Sequence, residues 1–299
     1  MTTIGVDVGG TKVLGVVVDG AGSVVASHRV STPSGGDAVV EAMVGVIAAL
    51  RRERGDVVAV GAGVPGLVDR DGVLRFAPNL PGVVELPVGR LLRDATRLPV
   101  TVDNDNTCAL WGEHLAGAAR DAADVVLVGL GTGIGGGLLL DGRLVRGAHG
   151  FAGEIGHMVV ARGGIPCVCG RNGCWERYAS GTALGRMARE AGIGERGEDV
   201  TAAAIGGDAA ALALFDEFAD WFAVGLVNLV HALDVSRCVI AGGLVEAGEV
   251  LLDAVRRAFA ARLVAPDHRP PDDIVGATLG ERAGAIGAAL LASRPEASR

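Results

Sequence analysis

His157, Cys167, Cys169 and Cys174 place one imidazole and three thiols in the stretch "GHMVVARGGIPCVCGRNGC". One histidine and three cysteines form a donor set for tetrahedral zinc. Three of the chain's five cysteines fall within eight positions, while Cys108 and Cys238 stand alone. A clustered odd set in a chain whose N-terminus lacks the pattern of a signal peptide reads as a metal site in a reducing compartment, not as disulfides. Cys-x-Cys is a tight spacing, and Gly170 and Gly173 would let the loop fold back on itself. Four protein donors leave no open position, so the zinc reads as structural. Buried free thiols are the alternative.

A second kind of chemistry is written in glycine turns. "DVGGTK", Asp7 to Lys12, follows an apolar run almost at the first residue, and Lys12 is the only lysine in the chain. Gly9, Gly10 and Thr11 offer backbone and hydroxyl donors, Lys12 a cation and Asp7 a carboxylate. Bare backbone N–H groups cradle phosphates, and a carboxylate suits the Mg²⁺ that travels with nucleotide phosphates. Gly131, Thr132 and Gly133 form a similar turn after "VVLVGL", and Gly242 and Gly243 follow "CVIA". Any one of these turns could be a tight hairpin and nothing more. No Gly-Lys-Ser/Thr occurs, which excludes a Walker loop. Gly-x-Gly-x-x-Gly at Gly131 runs into a strand-like "LLLDG" where a dinucleotide turn needs a helix. Asp105 follows a strand at the expected start of a helix. It is a candidate general base for moving a hydroxyl proton, with simple helix capping by Asp103, Asn104 and Asp105 as the alternative.

The elements that carry these residues are α/β in pattern. Strand, glycine turn, strand recurs at 4–18 and at 124–140, with turns at Asp19-Gly20 and Asp141-Gly142. Helical spacing covers 37–54 and 213–233, and helices are also expected at "NTCALWGEHLAG" and "AGAIGAALLA". The repeated pattern predicts an internal duplication with two similar halves. The expected smaller domain is 1–117, with the first glycine turn and Asp105. The expected larger domain is 118–283, with the second turn, the cysteines and the Gly242 turn. A C-terminal helix at about 284–296 is expected to pack back on the first. At 299 residues, with 49% hydrophobic residues, both halves can hold a core. The formal charge of −8 argues against a nucleic-acid surface, and no run approaches the roughly 20 apolar residues of a membrane span. A cytoplasmic protein with no nucleic-acid or membrane partner is expected.

"DVGGTK", "GLGTGIGGG" and "IAGGL" resemble the two phosphate motifs and the adenosine-side motif of the actin-like sugar kinases. That resemblance implies a duplicated actin-like ATPase (ribonuclease H-like) α/β fold, with an active-site cleft between two domains. Glu154-x-Gly-His157, followed by Cys167-x-Cys169-Gly-x-x-Gly-Cys174-x-Glu176, is similar to the zinc motif of the ROK family (repressors, open reading frames, kinases). The family pattern around the base is usually Glu-Asn-Asp-Ala-Asn; here it reads "DNDNTC", with Asn104 and Asp105 in place and Asp103 and Asn106 departing. The adenosine loop is one glycine short of the family pattern. Within the family the chain most resembles the bacterial ATP-dependent glucokinases. The resemblance implies transfer of the ATP γ-phosphoryl group to the 6-hydroxyl of glucose, with Asp105 as base and Mg²⁺ accompanying ATP. It implies sugar ligands Gly66, Asn79, Asn104, Asp105, Glu154, His157 and Glu176, with His157 facing zinc through one nitrogen and sugar through the other. It also implies a homo-oligomer, dimer or tetramer. Kinases for fructose, mannose or N-acetylmannosamine remain alternatives, as does polyphosphate as donor. A sugar-responsive regulator would need a helix-turn-helix ahead of Asp7, where six residues stand, so an enzyme is expected.

Overall fold

The computed structural model describes residues 2–78, 80, 82–269 and 273–293. Chain contacts divide it into two compact units. The first comprises residues 1–121, 137–153 and 278–299, and the second 122–136 and 154–277.

The first unit is built on β1 (Thr2–Val8), β2 (Lys12–Val18), β3 (Val24–Ser31), α1 (Gly36–Glu53) and β4 (Val57–Val64). A small meander follows, β5 (Leu67–Val68), β6 (Leu74–Phe76) and β7 (Val84–Leu86), then α2 (Val88–Thr96), β8 (Val100–Asn104) and α3 (Asp105–Ala116). Its sheet runs β3-β2-β1-β4-β8. β1 and β2 pair antiparallel through the glycine turn, while β1, β4 and β8 are parallel. Strand alternation decides what each face covers. Val13 and Val17 of β2 join Val39, Met43, Val46 and Leu50 of α1 in one core. Leu14, Val16 and Val18 face the other way, onto Ala285, Ile286 and Ala289 of the C-terminal helix α9 (Ala283–Ser293). Each fully buried Leu or Ile in these clusters is worth about 1.5–3 kcal/mol over leaving it in water.

The composition of α9, in which seven of eleven residues are Ala or Gly, has a steric reason. A Cβ on Gly5 would lie 1.8 Å from the carbonyl oxygen of Ala285, and one on Gly287 would lie 1.6 Å from that of Cys108 in α3. The helix therefore rests backbone-on-backbone against β1 and α3, so that any larger side chain at these two positions would force them apart. Residues 294–296, the end of the expected C-terminal helix, lie outside the described residues.

The second five-stranded sheet repeats the order, with β11 (Arg143–Leu144), β10 (Ile134–Leu140), β9 (Val125–Leu130), β12 (Arg237–Ala241) and β13 (Asp273–Gly276) in place of β3-β2-β1-β4-β8. β9 is parallel to β12, and β12 to β13. This matches the duplication expected from the repeated strand–turn–strand pattern. The unit's helices are α4 (Glu176–Ala179), α5 (Gly181–Ala191), α6 (Gly197–Ile205), α7 (Ala209–Leu233) and α8 (Glu249–Ala260). Asp208 caps α7 by accepting from the backbone N–H groups of Ala210 and Ala211. Phe215, Phe218 and Phe222 of α7 are buried, and Trp175 stacks on Phe222 with ring centroids 5.2 Å apart. The Trp175 indole N–H donates to the carbonyl of Trp221 at 3.0 Å. Because Trp175 sits between Cys174 and Glu176, this anchor fixes the cysteine loop to the longest helix of the unit. No helix among the described residues is long and apolar enough to cross a membrane.

Candidate active site

In the first unit the strand ends deliver the candidate residues to one place. Asp7 on β1 is in register with Gly63 on β4, and Gly63 with Asp103 on β8. Gly63 has no side chain to separate what lies on either side of it. A Cβ there would be 3.2 Å from Asp7 Oδ1 and 3.4 Å from the Cα of Asp105. Asn104 ends β8 and caps α3, accepting from the N–H groups of Asn106 and Thr107, and its Nδ2 donates to the carbonyl of Gly66 at 3.2 Å. Gly66 holds a φ of 101° and packs on the carbonyl of Phe76, where a Cβ would approach to 2.2 Å. Gly66, Asn104 and Asp105 are thus held together by the cap, and Asp7 lies beside them. Asn79, the remaining sugar ligand implied for this unit, lies outside the described residues.

The electrostatics separate the two carboxylates. Burial, and then the charge of Asp105, push Asp7 up to about 8, with Lys12 pulling the other way. Asp7 Oδ1 is buried with no hydrogen-bond partner. Burial also raises Asp105 and remains the larger effect, though N–H donors oppose it: the backbone and side chain of Asn106, and the side chain of Asn104. A carboxylate with donors favours its ionised form, and one without does not. An orphaned buried carboxylate oxygen beside a glycine turn is a fit for a hard cation. Asp7 would therefore hold Mg²⁺ through Oδ1.

The first glycine turn is a closed hairpin, with Gly9 N–H donating to the carbonyl of Lys12 at 2.8 Å. Gly10 and Thr11 are exposed at its tip. The Lys12 ammonium pairs with Glu281, whose carboxyl is held below its ordinary range by that contact. Both groups retain solvent exposure, so the pair is worth little and can be exchanged.

In the second unit, Gly131, Thr132 and Gly133 form the exposed turn between β9 and β10, and Gly131 N–H donates to the carbonyl of Gly133 at 3.1 Å. The N-terminus of α5 holds that turn. Gly181 N–H donates to the carbonyl of Gly131 at 2.9 Å, and the Thr182 hydroxyl to that of Thr132 at 2.6 Å. Gly242, at φ 90°, packs on Leu130, where a Cβ would lie 2.2 Å from the carbonyl oxygen. The turns at Gly131 and Gly242-Gly243 are therefore neighbours.

His157, Cys167, Cys169 and Cys174 converge, with one donor atom from each lying within 4.8 Å of the others. Cys169 and Cys174 sulfurs are 3.5 Å apart, and Cys167 Sγ is 3.8 Å from His157 Nδ1. Tetrahedral ligands about 2.0–2.3 Å from zinc stand roughly 3.3–3.8 Å from one another, so the donor set and its spacing fit that ion. Burial raises the Cys167 and Cys174 thiols. Burial raises Cys169 as well, but hydrogen bonds from the Arg171 N–H, Cys167 and Cys174 outweigh it and hold this thiol low. Nδ1 of His157 faces Cys167 and Glu176, and Nε2 lies 3.8 Å from Glu154. Glu176 bridges the groups: Oε1 accepts from Cys167 Sγ at 3.0 Å, and Oε2 lies where a Cβ on Gly133 would be 2.4 Å away. Glu176 thus adjoins both the thiol cluster and the second glycine turn, and His157 lies between it and Glu154.

The sequence gives no sign of three further contacts at the site. Asp103 is buried and receives the Arg146 Nε at 2.6 Å, tying the end of β8 to the segment that leads towards Glu154. Thr182 steadies the second turn. Asn106 stands out in the sequence as a departure, but nothing there shows that it touches Asp105.

A family model for the ROK family matches residues 3–295. The chain is 37% identical over 313 aligned residues to the glucokinase of Streptomyces coelicolor, covering 98% of each. It is similar to the crystal structure of a ROK family glucokinase from Streptomyces griseus in complex with glucose and AMPPNP, with a TM-score of 0.90 and 37% identity over 98% of this chain and 100% of that one. The ROK hexokinase of Thermus thermophilus is similar at a TM-score of 0.82 and 37% identity, covering 99% of both. The expected actin-like fold is the fold these neighbours share. With nearly its whole length matched, the chain belongs to the ROK family.

Proposed function

We propose that this protein is a cytoplasmic ATP-dependent glucokinase that transfers the γ-phosphoryl group of ATP to the 6-hydroxyl of glucose. The observation that carries the reading is the cap at β8–α3, which sets Asp105 beside Asn104 and the Gly66 carbonyl. Its likeness to a relative solved with glucose and AMPPNP supports the choice of substrates. Phosphoryl transfer asks the protein for positioning and for charge stabilisation. Asn104 orients a sugar hydroxyl, and the ionised Asp105 takes the proton of the attacking 6-hydroxyl. The oxygen bonds to the γ-phosphorus as the bond to the β-phosphate oxygen breaks, and ADP leaves. The N–H groups of the two glycine turns and Lys12 bind phosphate oxygens. Gly242 and Gly243 take the adenosine side. When bound, Mg²⁺ supplies neutralisation of phosphate charge, held through Asp7. His157, Cys167, Cys169 and Cys174 would hold zinc, which would supply a structural anchor there, and His157 would then turn Nε2, with Glu154 and Glu176, to the sugar.

A coupled assay across glucose, fructose, mannose and N-acetylmannosamine, with ATP and polyphosphate as donors, tests the substrate. Glucose with ATP is expected to give the highest kcat/KM. Asp105→Asn keeps the shape and loses the acceptor. Its turnover is expected to fall on the order of 10²–10⁴-fold with sugar binding retained. More than about a tenth of wild-type turnover in that variant refutes the base assignment.

A further inference from the structure

We infer that Asn106 is a positioning residue for the base, gripping one oxygen of Asp105 so that the other is presented to the sugar hydroxyl. This rests on the assignment of Asp105 above. Two donors from the same residue reach the same atom: the Asn106 backbone N–H and the Asn106 side-chain Nδ2 both donate to Asp105 Oδ1, each at 2.9 Å. A carboxylate is planar. Two hydrogen bonds on one oxygen, from directions fixed by the helix start, hold its plane and set which oxygen remains for an incoming hydroxyl. The backbone N–H is itself held in place, because it is shared with Asn104 Oδ1 at 2.8 Å. The side-chain contact is the addition. An alanine in its place would leave Oδ1 with the backbone donor alone.

The surroundings show why a second grip matters. Asp105 is flanked by glycine, with Gly63 where a side chain would otherwise pack against its Cα. Cys108, one turn further along α3, is fully buried on the same side and would be 3.4 Å from that Cβ. The neighbouring charged groups do not hold the carboxylate either. Asp103 is turned to Arg146, and Asp7 lies across Gly63 with its Oδ1 making no hydrogen bond. Orientation of Asp105 therefore falls to Asn106 and to the cap. Small errors in the placement of a reacting group cost large factors in rate, which is the scale on which a rotated carboxylate would be felt.

The test is a double-mutant cycle with steady-state kinetics on the intact protein. Asn106→Ala is expected to lower kcat about tenfold, leave the KM for glucose and ATP within about twofold, and leave the unfolding midpoint nearly unchanged. In the Asp105→Asn background, where no base remains to be oriented, the same change is expected to alter residual turnover less than about twofold. Unchanged kcat in Asn106→Ala overturns the inference, and so does an equal loss in both backgrounds, which marks a general structural effect. If Asp105→Asn retains more than about a tenth of turnover, the base assignment falls and this inference falls with it. If Asp105→Asn collapses and Asn106→Ala does not, this inference alone falls.

Discussion

Replacing Asp7 by asparagine is expected to stabilise the ligand-free protein, increasingly as pH rises. The folded carboxyl ionises at about 8, against an ordinary value of 3.8. Below pH 3.8 the group is protonated in both states and contributes nothing. Between 3.8 and 8 the folded state holds one proton more than the unfolded state, so stability falls as pH rises. Above 8 the loss is complete. About 4 units of difference at roughly 1.4 kcal/mol each set a ceiling near 5–6 kcal/mol. Relaxation and water entry around an ionised carboxylate reduce that to about 2–3 kcal/mol. At roughly 2–4 °C per kcal/mol for a chain of this size, the variant should unfold about 5–10 °C above wild type near pH 8.5 and within about 2 °C of it near pH 4. Scanning calorimetry of protein free of Mg²⁺ and nucleotide but retaining its zinc, from pH 4 to 9, measures the difference. A constant offset across that range would refute the argument, because an amide removes only the pH-dependent part. The same variant should lose activity, since Asp7 is the candidate holder of Mg²⁺. The stabilisation and the loss would have one source, a carboxylate kept without donors for a ligand it awaits.

Two further outcomes are expected. Protein purified without added metal should contain one zinc per chain by elemental analysis, and Cys169→Ser should lower both zinc content and unfolding temperature, since metal binding and folding are linked; active protein with near-zero zinc would contradict the site. Lys12 is the only lysine, so an amine-selective reagent reports on it and the terminal amine alone. Its pairing with exposed Glu281 should leave it reactive in the free protein, and ATP should protect it; labelling at Lys12 indifferent to ATP would remove it from phosphate binding.

What could be read in the sequence was whatever depends on residue type at short spacing. The turn between β1 and β2, its repeat between β9 and β10, and the thiol cluster are each written within about 20 residues. The short helix α6 is Ala-rich and offers little periodic contrast, and the meander β5–β7 has strands of two or three residues, so neither was readable. Contacts at long separation were also hidden. Asp103 and Arg146 are 43 positions apart, and nothing local marks either as the other's partner. The place of Asp105 at a helix start was visible. The structure adds the donors from Asn106 and Asn104 that decide how strongly burial is opposed.

Glu113 shows most sharply why charge in a sequence misleads. In α3 it reads as a solvated helical position, yet it is fully buried. A lone buried carboxylate costs several kcal/mol, which only a full set of donors offsets. Glu113 has that set: the N–H of Ala118 at 2.7 Å, those of Thr278 and Leu279 at 3.0 and 2.8 Å, and the Thr278 hydroxyl at 3.2 Å. The adjacent Gly117 has no room for a side chain, since a Cβ would sit 2.0 Å from the carboxylate. Ala118 lies just before the chain first leaves the first unit at Asp121, and Thr278 is where it returns for the last time. One carboxylate therefore satisfies backbone donors at the exit and at the re-entry, two segments that no helix or strand ladder serves. The Thr278 and Leu279 donors meet the acceptor only in the folded chain, 165 and 166 positions away. No local pattern could announce them, and the burial of the charge follows from the topology that brings them together.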